Sequence, residues 1–167
     1  MVKSISFLMM AVLFSAGVSV YAAEIFTKEI RVSAQVFEPS CIINNGKRVI
    51  VNFDSISIYS VKSGAAKKIV PFTVYCPGID DSKSLSILIN ADAAIWDITN
   101  IQTTDPGLGV SVNIIGSGKS LPINIHEVTT WGELKNMKLE ARVNPHPTIE
   151  PAVGQFSAAA TITVRHI

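Results

Sequence analysis

Charge is scarce in this chain, and so are the side chains that metal and catalytic sites need. Lys, Arg, Asp and Glu make up 16% of the 167 residues and nearly cancel, leaving a formal net charge of +1. Acids and bases are interspersed, so there is no basic stripe for nucleic acid and no polybasic cluster for an anionic membrane. Three histidines occur, His126, His146 and His166, and none sits in a ligand motif. The two cysteines, Cys41 and Cys76, cannot supply four ligands without nearby histidines, so no metal is expected. No Gly-x-Ser-x-Gly nucleophile turn is present. Gly107-x-Gly109 lacks the third glycine of a phosphate loop and opens a strand rather than a helix. No cofactor and no enzymatic activity are expected. Helical periodicity is nearly absent after residue 22, and there is no internal repeat or low-complexity linker.

What is present begins with a targeting segment. Met1-Val2-Lys3-Ser4 precedes an apolar run from Ile5 to Val20, and Tyr21-Ala22-Ala23 follows. A lone lysine, an apolar core and small residues at its end describe a secretory signal peptide. Residues 1–22 are assigned to it, with cleavage after Ala22 and Ala23 as the second site. An uncleaved anchor is the competing reading, but the run is short for a span and no basic stop-transfer cluster follows. No later segment is apolar enough to cross a bilayer, so no membrane span is expected in the mature chain. Cys41 and Cys76 both lie in the exported part and are expected to pair. The loop they close, roughly 35 residues, is worth about 3–4 kcal/mol by the chain-entropy model.

Period-2 runs separated by turn signals fill the rest. The last runs from Gly154 to Ile167, with Phe156, Ala158, Ala160, Ile162 and Val164 on one face. A strand used to its end needs a neighbour to hold it. The first runs from Phe26 to Val36, with Ile30, Val32, Ala34 and Val36 sharing a face. Between them, strands are expected at 47–53, 67–76, 84–90, 109–115, 121–125 and 137–143. Asn44-Asn45-Gly46 and Gly116-Ser117-Gly118-Lys119 are the turns. Pro71 removes one ladder donor and puts its strand at an edge or bulge. Residues 54–66 have room for a short helical turn; 91–106 and 129–132 read as irregular. Short strands at this spacing suggest an all-β sandwich. An arm at one end and an exposed strand at the other would let copies join head to tail.

These features together resemble the chaperone–usher fimbrial subunits, the type 1 pilin family. Gly154 stands where the family places a glycine, ahead of the alternating strand that ends the protein. The Cys41 and Cys76 spacing is similar to the family disulfide between the first and third strands. Val51-Asn52-Phe53-Asp54 resembles the segment after the first cysteine. Gly107 to Ile114 with Gly116-Ser117-Gly118 resembles the central hairpin, and Leu139 to Val143 the strand before the last loop. Two departures stand out: His166 replaces the usual penultimate tyrosine, and Asp54 replaces a glycine.

The resemblance implies an incomplete immunoglobulin-like sandwich, the pilin fold, lacking its last strand and completed by a donor strand from another chain. It implies a signal peptide at 1–22, a donor-strand extension at 23–37 and a pilin domain at 38–167. The donor residues would be Phe26, Ile30, Val32, Ala34 and Val36, with Ala34 at a tight point of the acceptor groove. Gly154, Phe156, Ala158, Ala160, Ile162, Val164 and His166 would form the groove edge that meets a periplasmic chaperone. The implied partners are that chaperone, the outer-membrane usher and neighbouring subunits, on a route through the periplasm to a surface fimbrium. The implied function is a structural subunit of an adhesive pilus. The alternative is a monomeric, secreted carbohydrate-binding adhesin of related fold, with Trp96 or Trp131 at a sugar site.

Overall fold

The computed structural model describes residues 40–167, together with Ser33; the expected signal peptide and the arm residues Phe26, Ile30, Val32, Ala34 and Val36 lie outside the described residues. Alternation builds the two central layers. In β4, Ser84–Asn90, the side chains of Leu85, Ile87 and Ile89 are at most 1% exposed, as their period-2 spacing predicts. β7 (Leu108–Ile114) and β10 (Leu139–Pro145) pair antiparallel, setting Ala141 opposite Val112 and Val143 opposite Val110. These apolar faces meet those of β4 and β11 (Thr161–His166) in a single core.

Three sheets frame that core. The largest runs in the order β2 (Lys67–Val70), β10, β7, β6 (Asp97–Gln102), β5 (Ala93–Ala94), with β8 (Ser120–Leu121) paired to β7. The second is β11-β4-β9, with β9 at Glu127–Thr130. The third pairs β1 (Ile42–Ile43) with β3 (Val74–Tyr75). The expected 67–76 strand is therefore two strands in two sheets. Pro71, which has no N–H to donate, sits at the break, and β2 lies at a sheet edge as expected. The Cys41–Cys76 disulfide is formed, with Sγ–Sγ 2.04 Å.

Other departures follow from local chemistry. The stretch read as irregular holds the β5–β6 hairpin, and 129–132 divides between β9 and α2 (Trp131–Leu134). Thr130 caps that helix: its Oγ1 accepts from Glu133 N–H while Glu133 Oε2 accepts from Thr130 N–H. The 54–66 segment contains α1, Ile58–Lys62, capped by Ser57. β8 pairs back only over Ser120–Leu121; then Ile123 crosses to bridge Ile89 in the other sheet.

Candidate functional site

Among the described residues, two stretches that read as strands find no strand partner, and they face each other across an open groove of about 1590 Å³. One wall is residues 47–56. Its alternation is real: Val49, Val51 and Phe53 are half-buried while Arg48, Ile50 and Asn52 are exposed. The other wall is residues 151–162. Here Phe156 and Ile162 pack against the core, while Ala158 and Ala160, on the same face, remain exposed and line the groove. The floor is apolar and includes Ile89, Ile101, Val110, Val112 and Ala141, each no more than 8% exposed.

Neither wall is closed by hydrogen bonds from the other described residues. Among the described residues, the backbone groups of 48–53 and of 158–160 have no partner. Pairing resumes only at Thr161, opposite Asn90 of β4. Backbone donors and acceptors of an extended segment are satisfied by a neighbouring strand about 4.8 Å away. The groove therefore offers what one added strand requires: backbone edges on both sides and an apolar floor for its alternate side chains.

Each wall is fixed at its ends. The first follows the disulfide and the turn at Asn44, whose Nδ2 donates to Pro71 O at 2.9 Å and whose Oδ1 accepts from Thr73 N–H at 2.7 Å. Near its far end, Asp54 adopts φ 56°, donates its N–H to Asn52 Oδ1 and pairs with Lys68 at 3.0 Å. The aspartate thus makes the left-handed turn that a glycine would make at lower cost. Near the start of the second wall, Gly154 adopts φ 157°, a conformation close to glycine's own. That wall ends in β11, where Val164 is buried opposite Ile87 and His166 is half-buried opposite Leu85.

The sequence reading expected a groove edge along Gly154 to His166 and named no residue of 47–56 or of the floor as part of a site. The available signal was the pair of alternating runs, 47–53 and 156–164; which strand accompanies an alternating run is not written in the run itself. Trp96, His146 and His126 are engaged elsewhere. Trp96 lies over Gly109 and meets the His146 ring edge-on at 5.4 Å. His146 Nδ1 accepts the N–H groups of Thr148 and Ile149, and His126 Nδ1 sits 2.6 Å from Ser86 Oγ. The amides near Trp96 bond one another: Asn144 Nδ2 donates to Asn100 Oδ1 at 2.7 Å and Asn100 Nδ2 to Asp97 Oδ2 at 2.8 Å. No group of side chains suited to a metal ion occurs among the described residues. No helix among them is long and apolar enough to cross a membrane.

Comparison with known proteins agrees with this geometry. The family model described as fimbrial protein matches residues 29–166. No match was found among the curated proteins. Among solved structures, the fold is similar to that of the P pilus rod subunit PapA. The TM-score is 0.57 and the identity 15%, over 83% of this chain and 100% of that one. It is also similar to a subunit from the structure of a chaperone–usher pilus solved to explain rod uncoiling. There the TM-score is 0.57 and the identity 12%, over 87% of this chain and 99% of that one. The P pilus adaptor subunit PapF gives 0.54 and 19%, over 80% and 100%.

Proposed function

The chain belongs to the fimbrial protein family and is a structural subunit of a pilus; we propose that it assembles by strand donation, taking the arm of a neighbouring copy or related subunit into its open groove. The observation that carries this reading is the apolar-floored groove whose two backbone walls are unpaired among the described residues. An incomplete immunoglobulin-like sandwich exposes an edge and an apolar floor, and such an edge must be covered. The arm residues Phe26, Ile30, Val32 and Val36 would place alternate apolar side chains on the floor, with the small Ala34 passing its narrowest point. Each large side chain contributes roughly 1.5–3 kcal/mol on burial, set against about 1–2 kcal/mol for ordering each backbone residue. The backbone bonds to both walls then decide the balance in favour of a tight joint.

Before assembly the same groove would be held by a periplasmic chaperone, contacting the wall from Gly154 to His166, and exchanged at an outer-membrane usher. The chain would act at the surface fimbrium with neighbouring subunits as partners, and without enzymatic chemistry. The carbohydrate-binding alternative is not favoured: Trp96 and the amides beside it spend their contacts within the chain.

The test is thermal unfolding of a chain lacking residues 1–36, with and without a synthetic peptide spanning Phe26 to Val36. A large, slowly developing rise in the melting temperature with peptide is expected. A chain already stable and indifferent to the peptide would overturn the proposal and send attention to a glycan-binding screen.

A further inference from the structure

The fifteen-residue connection from β10 to β11, residues 146–160, has no regular structure of its own, yet one short loop, Thr103 to Gly107, holds it at several points. Gly107 O accepts from His146 N–H at 2.8 Å. Asp105 Oδ2 accepts from Ala152 N–H at 2.9 Å while its Oδ1 accepts from Gly107 N–H at 2.8 Å. Thr104 takes both backbone groups of Ser157: its N–H donates to Ser157 O and its Oγ1 accepts from Ser157 N–H, each at 3.0 Å. Thr103, 6% exposed, braces the loop from inside, donating its hydroxyl to Asp105 O at 2.7 Å and accepting Asp105 N–H at 3.1 Å. Gly107 lies so close to Pro151 that an added Cβ would come within 2.7 Å of its backbone. No side chain but hydrogen fits between loop and connection there.

We infer that Asp105 and Thr104 are positioning residues that hold the C-terminal wall of the groove ready to accept a strand. Residues 158–160 are a short unpaired span between two fixed points, Ser157 on the loop and Thr161 on β4. Without the loop, the first of these points is lost and the span is held by β11 and the packing of Phe156. An unpaired strand edge keeps its extended form and its distance from the opposite wall only while both ends are fixed, and a partner pays less ordering entropy against a fixed edge. This rests on the groove accepting a strand, as proposed above.

The experiment loads the full exported chain, at high dilution, with a fluorescent peptide of the sequence Phe26 to Val36 and follows its release. Hydrogen exchange is measured on the same chain without peptide. Asp105→Asn and Thr104→Val are compared with Asp97→Asn, whose carboxylate serves Thr99 and Asn100 away from the groove. Loss of one charge-assisted bond at the wall is expected to speed release about tenfold in Asp105→Asn, with a smaller rise in Thr104→Val. The Ala152 and Ser157 amides lose exchange protection in the respective variants. Asp97→Asn lowers the melting temperature but leaves release unchanged, which a merely structural role for Asp105 would not produce. Wild-type release rates in both wall variants, or equal acceleration by Asp97→Asn, overturn the inference while leaving the groove standing. A wild-type chain that takes up no peptide overturns the groove itself and the positioning role with it.

Discussion

His166 carries its Nε2 into the protein without a hydrogen-bond partner among the described residues. Its ring points the same way as Ile162 and Val164, across from Leu85 at the end of β11. A buried nitrogen that has given up water and gained nothing costs about 1–3 kcal/mol. Replacement by a ring of similar shape without the nitrogens removes that cost. His166→Phe in the full exported chain is expected to raise the denaturant midpoint, equivalent to about 1 kcal/mol. A lower midpoint would show that Nε2 has a partner after all. Asp54, the other departure from the family pattern, carries no such penalty beyond its positive φ, because Asn52 and Lys68 hold the turn. Both departures were legible in the sequence as mismatches. Which one would be absorbed was not, since that depends on neighbours brought in from other strands.

At the scale of elements, the helix α2 shows how a local motif gains pH dependence. The carboxyl of Glu133 is held below the usual glutamate range, first by Thr130 N–H, then by the hydroxyls of Thr129 and Thr130. A carboxylate favoured by the fold contributes stability above its unfolded value and loses it as the pH falls through its folded value. Glu133→Gln is therefore expected to lower the urea midpoint at neutral pH and to match the parent at a pH well below the ordinary glutamate range. An equal deficit at both pH values would mean the box acts through shape alone. Strands with one buried face, such as β4, β7 and β10, were legible because alternation and burial coincide. β6 was not: Asp97, Thr99 and Asn100 bond among themselves, so its polar side chains mask the pattern. The walls 47–53 and 156–160 were legible as alternating faces and misleading as strands. An alternating sequence specifies a face to bury, whereas a ladder needs a second backbone, and here that backbone is not in the described chain.

For the whole molecule, the groove's width depends on two walls held by different means. The C-terminal wall is anchored by the Thr103–Gly107 loop and continues into β11. The N-terminal wall has no ladder among the described residues, and its surface ion pair between Lys68 and Asp54 is worth at most about 1 kcal/mol. Its hold on the core comes from Val51, Phe53 and Ile56, from the Asn44 turn, and from the disulfide that fixes Cys41 to Cys76 just before it. Removing that bond should do two separable things. It returns the entropy of a long loop to the unfolded chain, about 3–4 kcal/mol. It also removes one of the two ties at the start of a wall that has no ladder among the described residues, leaving the Asn44 turn as the other. The double variant Cys41→Ser with Cys76→Ser is expected to melt lower and also to release the Phe26–Val36 peptide faster than the stability loss of a core substitution such as Val143→Ala would predict. Comparing the two at matched melting temperature isolates the wall. Equal release from both would mean the disulfide acts only on the unfolded chain, and that the Asn44 turn and the packing of Val51, Phe53 and Ile56 keep the groove open to a strand.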